Sequence, residues 1–337
     1  MREIGSEFWS VPVSSRNNGF FPSSTEWFVS GRNALKAIIK ELKNCRSVEL
    51  PAWCCDSMIE PFVSEGFSVH FYSVMFQDGF KQKPNFNCDI LFVMDYFGFE
   101  TSEKDLKNYN GIVIRDLTHS VFTRKYSDAD YYFGSLRKWA GFWTGGFAYG
   151  FKKTVVFDNN DMGFALLRKQ AMEDKEIYIE SKESDLKPEK KFLSVFNAAE
   201  NLLDRLPISQ SNRRDINIAN KLDIGSIKFQ RRKNAEILIQ ELNDICIFKS
   251  LRENDCPLFV PIIIRQDKRD KLKSFLIKES IFCPVHWPLT SYHNFTETAC
   301  NIYNRELSLV CDQRYGAKDM YRIVETVKRF CKEEKIC

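Results

Sequence analysis

Short apolar runs separated by helical patterns dominate the first half of this chain. The segments Ile90–Met94 and Ile112–Ile114 are apolar throughout, which is typical of strands buried on both faces of a parallel sheet. Residues 32–43 carry apolar residues at helical spacing, and residues 48–50 and 69–74 predict further strands. Because strands and helices alternate along the chain, we expect an α/β layer built on a mostly parallel sheet flanked by helices.

The second half has a different pattern. Residues 160–240 are rich in Glu and Lys and predict helices, with one break near residues 207–212. A smaller α/β pattern follows, with a strand at 258–264, a helix at 267–278 and a last helix at 318–333. The change predicts a large domain over residues 1–220 and a small C-terminal α/β domain over residues 221–337.

A carboxylate at a strand end is followed by a lysine and a nearby serine. Asp116 closes the apolar run that begins at Gly111, and Lys138 follows the aromatic strand at residues 131–133. Ser135 stands three residues before Lys138. A lysine can bind pyridoxal phosphate (PLP) covalently, a carboxylate can keep its pyridine nitrogen protonated, and a hydroxyl can bind its phosphate. The set indicates a PLP site, although such an aspartate is often only a cap and such a lysine often a surface residue.

Aromatic residues follow Lys138 in the sequence. Its neighbours Trp139, Phe142 and Trp143 predict a buried, low-dielectric setting that would leave the amine uncharged and nucleophilic. His119 lies three residues after the aspartate and could reach the same ligand. The other histidines are individually more typical of structural or surface positions; they are His70, His286 and His293.

The start of the helix at residues 32–43 is a candidate anion site. Ser30 and Gly31 open this helix, and the free amides and dipole of a helix start attract anions. The alternative is an ordinary capped helix, which the local sequence alone favours.

Charge and cysteine content exclude several classes of protein. The chain has 49 basic and 45 acidic residues and a net charge of +4, too balanced for the basic face of a nucleic-acid-binding protein. It has no apolar run near the ~20 residues of a membrane span, and its first residues lack a secretory signal. The eleven cysteines are odd in number and scattered, without paired CxxC motifs. We therefore expect the cysteines to be free thiols in a reducing cytoplasm, and we expect no structural metal site.

Several motifs occur in the order found in one protein family. They are Ser30–Leu35, Pro51–Ser57, Asp116–His119, Gly134–Lys138, Gly145–Gly146, Phe282–Pro288 and Leu307–Tyr315. On these motifs the chain resembles the DegT/DnrJ/EryC1/StrS aminotransferases, which are PLP-dependent sugar aminotransferases of fold type I. The resemblance extends from about residue 4 to the last helix and is thin between about residues 155 and 245.

The resemblance implies a role for each matched residue. Lys138 matches the lysine that binds PLP covalently and later moves protons on the substrate. Asp116 matches the aspartate that pairs with the pyridine nitrogen, and His119 stands beside the ring where the family has Gln or His. The helix start at Gly31, Arg32 and Asn33 matches the one whose backbone binds the cofactor phosphate in the family, and Ser135 before the lysine adds a hydroxyl there. His286 and Arg314 are candidates for contact with the substrate.

Three positions depart from the family pattern. Phe133 stands where many relatives have a phosphate-binding serine, and Arg115 where many have an acid. Cys55 occupies the position of the aromatic residue that stacks on the cofactor ring, and Trp53 is the alternative stacking residue. Because the lysine and the aspartate both remain, we interpret these departures as marks of a divergent subgroup.

The resemblance implies transfer of an amino group, with glutamate the expected donor, to a keto group of a nucleotide-linked sugar. Such reactions serve surface-polysaccharide or deoxyaminosugar biosynthesis. The resemblance also implies a homodimer. From the free thiols we expect a cytoplasmic location, and we expect no nucleic-acid or membrane partner. A sugar dehydratase branch carries histidine in place of the lysine, so Lys138 argues against that branch. The alternatives are another PLP-dependent sugar-modifying reaction, a non-catalytic relative acting as a binding protein, and an unrelated α/β fold.

Overall fold

A computed structural model describes residues 2–76, 79–100, 106, 109–123, 126–158, 162–183, 189–295 and 302–335. Within these ranges the strands are Ile4–Gly5 (β1), Glu26–Phe28 (β2), Ser47–Pro51 (β3), Ser68–Phe76 (β4), Phe80–Lys83 (β5), Ile90–Met94 (β6), Ile112–Asp116 (β7), Tyr131–Ser135 (β8), Gly146–Tyr149 (β9), Phe259–Ile263 (β10), Ile281–Phe282 (β11) and Glu306–Val310 (β12). The helices are Gly31–Glu41 (α1), Asp56–Ser64 (α2), Met162–Glu183 (α3), Phe192–Leu203 (α4), Arg213–Ala219 (α5), Ile224–Glu241 (α6), Gln266–Lys278 (α7) and Ala317–Glu333 (α8).

The first half of the chain forms one large sheet. Its spatial order among the described residues is β2-β9-β8-β7-β6-β3-β4-β5. The run from β8 to β4 is parallel, and β9, β2 and β5 are antiparallel to their neighbours. Every residue of β6 is buried, as expected for a strand covered on both faces. The prediction of a mostly parallel central sheet is confirmed.

The predicted helical segments are also present. α1 covers most of the helix expected at residues 32–43, and its apolar residues Leu35, Ile38 and Ile39 are buried. The stretch expected to be helical over 160–240 contains α3, α4, α5 and α6. The predicted break at 207–212 lies between α4 and α5, and α3 packs against α4.

The C-terminal region has small sheets of its own. β10 pairs with β12 in antiparallel orientation, and α8 packs against α6 and α7. β1 pairs in parallel with β11, so the first residues of the chain join this region. The division of the chain at residue 220 stays a prediction.

In the ranges described, no helix combines the length and the apolar character that a membrane crossing requires. The same residues contain no group of three or more His, Cys, Asp or Glu side chains placed to hold a metal ion. The described cysteines have free thiols, whereas Cys300 and Cys337 lie outside the described residues.

Candidate active site

Two neighbouring cavities lie at the carboxyl ends of β7 and β8. The sheet-edge cavity, about 240 Å³ in volume, contains seven of the ten predicted site residues in its lining: Gly31, Arg32, Cys55, Asp116, His119, Ser135 and Lys138. The second, about 390 Å³, is here called the basic cavity because its lining includes Arg137, Lys138, Arg231, Lys273 and Arg314. Lys138 lines both cavities, so it stands where they meet.

Asp116 places a buried charge in the sheet-edge cavity. It is the last residue of β7, and its side chain is almost fully buried. Burial raises the pKa of Asp116 to about 6, while hydrogen bonds from Thr118 and the positive charge of Lys138 oppose that rise. The Thr118 amide donates to Oδ1 at 2.7 Å. The carboxyl group is therefore ionised at neutral pH.

His119 presents a neutral ring in the same cavity. Burial, and secondarily the charge of Lys138, lowers the pKa of His119 to about 3. Its ring stacks on Trp287, with ring centroids 5.4 Å apart and an interplanar angle of 25°. Trp287 also lines the sheet-edge cavity, so two flat rings from distant parts of the chain meet there.

The first turn of α1 forms another wall of the cavity. Ser30 Oγ accepts a hydrogen bond from the Asn33 amide at 3.1 Å, which leaves the amides of Gly31 and Arg32 for an external acceptor. Gly31 lies against the end of β8, and a Cβ atom placed on it would be 3.4 Å from Ser135 Cβ. This close approach brings the helix start and the Ser135 hydroxyl together.

Two side chains at this helix start have partners outside the cavity. Asn33 donates to the Pro207 carbonyl at 2.7 Å and accepts from the Ser209 amide at 2.8 Å. The Arg32 guanidinium pairs with Asp204. The backbone of the helix start, rather than these side chains, is therefore available to an anion.

The expectation of a buried Lys138 is wrong. Lys138 ends a short 3₁₀ turn, and its side chain is exposed. Trp139 and Phe142 are fully buried in the core, while Trp143 packs beside α3 and α4. Successive residues of a turn point in different directions, so aromatic neighbours in sequence do not enclose the amine in space.

Polar groups are present near Phe133 and Cys55, two of the positions that depart from the family pattern. Phe133 lines the sheet-edge cavity, but so do the hydroxyls of Ser57 and Ser135. Cys55 Sγ lies 2.8 Å from Ser57 Oγ, and burial raises the pKa of this thiol. Trp53 is fully buried and lines neither cavity, so it does not supply the missing aromatic surface.

Arg115, the third departure, forms buried ion pairs within the core of the sheet. It is almost fully buried, donates to Asp95 at 3.3 Å and pairs with Asp128. Adjacent residues on a strand face opposite sides of the sheet. Arg115 therefore lies away from the cavity that Asp116 lines.

The predicted substrate residues His286 and Arg314 line the basic cavity. The His286 ring centroid is 5.4 Å from that of His119, which brings His286 to the junction of the cavities. Arg314 donates twice to the Asp312 carboxylate and also to two backbone carbonyls of the N-terminal segment. Most hydrogen-bond donors of the Arg314 guanidinium are thus already used in contacts within the protein.

Sequence reasoning missed several residues of the cavity linings. Trp287 and Ser57 stand inside motifs of the resemblance, and Arg137 directly precedes the lysine, so each had a local signal. Glu200 pairs with Arg137 from α4. No local pattern marks Glu200, because this contact depends on how α4 docks on the sheet.

No protein-family model and no curated protein matches the chain. Solved structures match its fold at low sequence identity. The Helicobacter pylori aminotransferase PseC, involved in pseudoaminic acid biosynthesis, is 14% identical with a TM-score of 0.65, covering 97% of this chain and 100% of its own. A DegT DnrJ EryC1 StrS aminotransferase from Brucella abortus is 14% identical with a TM-score of 0.61, covering 91% and 85%.

The sugar aminotransferase Spr1654 from Streptococcus pneumoniae, in its PMP form, is 14% identical with a TM-score of 0.63. The match covers 92% of this chain and 88% of that one. Such identities establish a shared fold. The chain therefore has the fold of the DegT/DnrJ/EryC1/StrS sugar aminotransferases, PLP fold type I, as the sequence resemblance predicted.

Proposed function

We propose that the protein is a PLP-dependent aminotransferase that acts on a nucleotide-linked sugar. The observation that carries the proposal is the presence of Lys138, Asp116 and the first turn of α1 in the lining of one cavity. They supply an amine, a buried carboxylate and backbone amides. These are the groups that the aldehyde, the pyridine nitrogen and the phosphate of PLP require.

The phosphate of PLP is assigned to the start of α1. The amides of Gly31 and Arg32 and the positive end of the helix dipole favour a bound anion. Ser135 and Ser57 offer hydroxyls in the same lining. These two hydroxyls compensate for the serine that is replaced by Phe133.

The pyridine ring is assigned to the space between Asp116 and the two flat rings of His119 and Trp287. Asp116 is ionised at neutral pH and favours a protonated ring nitrogen, which lets PLP act as an electron sink when bound. His119 is neutral and adds no competing positive charge. Trp287 provides the aromatic surface that is missing at Cys55.

Lys138 is assigned both the covalent link and proton transfer. Its exposed amine lines both cavities, so it can reach a group in either one. Once released from the cofactor, an amine at this junction can accept a proton from the substrate carbon and return one to it.

The basic cavity is assigned to the anionic parts of the substrates. Arg137 Nε and Arg231 Nη2 have no hydrogen-bond partner among the described residues, and Lys273 adds a further positive charge to the lining. The carboxylates of a glutamate donor and the phosphates of a nucleotide-linked sugar both satisfy such cations. We further propose that the protein forms a homodimer in the cytoplasm. Its reaction would serve surface-polysaccharide or deoxyaminosugar biosynthesis.

The test is an absorbance spectrum of the purified protein with added PLP, recorded before and after glutamate. We expect a visible band of lysine-bound PLP that glutamate converts to the spectrum of pyridoxamine phosphate. A band that ignores glutamate would overturn the assigned donor and favour a different donor or another PLP-dependent sugar-modifying reaction. The absence of any band would overturn the enzyme assignment in favour of a binding protein.

The binding-protein alternative rests on Phe133 and Cys55, which replace two cofactor contacts. Lys138 and Asp116 in one cavity favour the enzyme, because an amine and a carboxylate are the groups that PLP-dependent catalysis requires of the protein. Lys138 also argues against the dehydratase branch of the resembled family.

A further inference from the structure

A buried chain of polar side chains joins β12 to the basic cavity. His286 Nδ1 lies 2.9 Å from Ser308 Oγ, and Ser308 Oγ is hydrogen-bonded to Glu306 Oε1. The His286 amide donates to Glu306 Oε2 at 2.9 Å. Glu306 and Ser308 have no exposed surface, and His286 is 6% exposed. The carboxyl group thus has no direct contact with solvent.

The backbone fixes all three residues. Glu306 and Ser308 alternate with leucines along β12, so their side chains lie on the same face of the strand. The Ser308 amide donates to the Pro284 carbonyl at 3.0 Å, which ties β12 to the loop that carries His286. The position of this loop on β12 therefore keeps the three side chains within hydrogen-bonding distance of one another.

One end of this hydrogen-bonded network lies at the basic cavity. His286 lines the basic cavity, and no described residue forms a hydrogen bond with its Nε2 atom. The other end is the Glu306 carboxyl group. Among the described residues, His286 is the member of this hydrogen-bonded network that reaches a cavity, so it provides the route by which a proton enters or leaves.

We propose that Glu306, Ser308 and His286 form a proton relay between the basic cavity and a buried carboxyl group. When Glu306 is ionised, Ser308 donates to Oε1, His286 Nδ1–H donates to Ser308, and Nε2 carries a lone pair. Uptake of one proton at Nε2 is balanced by transfer of the Nδ1 proton to Ser308 and of the Ser308 proton to Glu306. The ring stays neutral, Glu306 becomes neutral, and Nε2 changes from acceptor to donor.

The charges around Glu306 support the carboxyl group as the titrating member. Burial raises the pKa of Glu306 to about 8, whereas Ser308, the His286 amide and Arg269 oppose that rise. Arg269 donates to the backbone carbonyl of Glu306, not to its carboxylate. Cys283 also lies near, and burial raises its pKa to about 12, so it remains a neutral thiol.

The groups around His286 keep its ring neutral. Burial, and then the nearby His119 and Lys138, lowers the pKa of His286 well below its ordinary value. His119 is itself neutral above about pH 3. A change of tautomer, with no charged ring, is therefore the form in which His286 transmits the proton.

The tautomer of His286 can be measured by NMR of the full chain labelled with ¹⁵N-histidine. Comparison with the His286→Gln variant identifies the resonances of this ring among the four histidines. We expect the Nε2–H tautomer below about pH 8 and the Nδ1–H tautomer above it, with their ratio changing about tenfold per pH unit. A tautomer that is constant from about pH 6 to about pH 10 would overturn the relay.

Variants of the other two members make the test specific. The side-chain amide introduced by Glu306→Gln can always donate to Ser308, so we expect the Nε2–H tautomer at every pH in that variant. Ser308→Ala interrupts the relay and should remove the pH-dependent change, while Ser308→Thr keeps the hydroxyl and should retain it. The proposal is overturned by a wild-type change that persists in Ser308→Ala or in Glu306→Gln.

Discussion

The carboxylate of Asp312 holds the guanidinium of Arg314 through two hydrogen bonds, Nε to Oδ1 at 2.9 Å and Nη2 to Oδ2 at 2.8 Å. The same guanidinium donates to the carbonyls of Ser6 and Glu7, each at 3.0 Å. It also lies over the ring of Phe8, 4.0 Å from the centroid. Arg314 thus fastens the N-terminal segment to the rim of the basic cavity.

We expect the Arg314→Met variant to lower the free energy of unfolding by about 3–5 kcal/mol, because Asp312 would remain buried without its partner. Urea unfolding of both proteins measures the difference. The exposed Arg265 also pairs with an aspartate, Asp267, and Arg265→Met should cost less than about 1 kcal/mol. A stable Arg314→Met protein that loses only substrate affinity would instead support direct contact with the substrate.

Replacement of Lys138 separates chemistry from stability. Because the side chain is exposed, Lys138→Ala should change the free energy of unfolding by less than about 0.5 kcal/mol. It should nevertheless abolish covalent attachment of PLP, measured by borohydride reduction followed by mass spectrometry. The exposed Lys153 provides the control, and Lys153→Ala should retain the modification. PLP still reducibly attached in Lys138→Ala would assign the link to another lysine.

Asp116→Asn removes the negative charge and keeps the shape of the side chain. A neutral amide cannot stabilise a protonated pyridine nitrogen, so we expect the half-reaction with glutamate to slow by roughly 10²–10³-fold. Stopped-flow absorbance of the PLP-loaded protein measures this rate. Asp244→Asn, at an exposed position, should leave it unchanged. A near-normal rate in Asp116→Asn would remove Asp116 from its assigned role.

The two hydroxyls near the start of α1 should share the binding of the phosphate. Each of Ser57→Ala and Ser135→Ala should weaken PLP binding by about 3- to 10-fold, the usual value of one hydrogen bond. Equilibrium titration followed by absorbance gives the dissociation constants. Ser194→Ala alters an exposed serine outside both cavities and is the matched control. Unchanged affinity in both cavity variants would place the phosphate elsewhere.

The sequence predicted the elements that depend on local pattern. The apolar run ending at Asp116 and the capped start of α1 lie in the structure where residue spacing put them. The order of the motifs predicted that Gly31, Asp116 and Lys138 would share one site, and they line one cavity. Local periodicity and motif order were sufficient here, because the carboxyl ends of neighbouring parallel strands meet at one edge.

Local sequence patterns could not predict the directions of side chains or the contacts between distant parts of the chain. The exposure of Lys138 depends on a 3₁₀ turn that aims Trp139 into the core. Asn33 is diverted to Pro207 by a loop far along the chain. The approach of His286 to Glu306 depends on the loop after β11 docking on β12. Each is set by tertiary packing, which no local pattern records.

The pH dependence of stability should reveal the buried carboxyl group of Glu306. Its pKa is raised to about 8 in the folded protein, from an ordinary value of 4.5. The folded protein therefore retains a proton that the unfolded chain releases, and stability falls as pH rises between these two values. The contribution is fully present below about pH 4.5 and is lost as pH rises through about 8.

We therefore expect the free energy of unfolding of Glu306→Gln to fall less steeply than that of the wild type across this range. Urea unfolding at a series of pH values gives both curves. Asp116 has a raised pKa of about 6 and contributes a slope of the same sign, but mainly below that pH. The difference between the curves from about pH 6 to about pH 8 thus isolates Glu306. Parallel curves there would mean that Glu306 is ionised in the folded protein throughout.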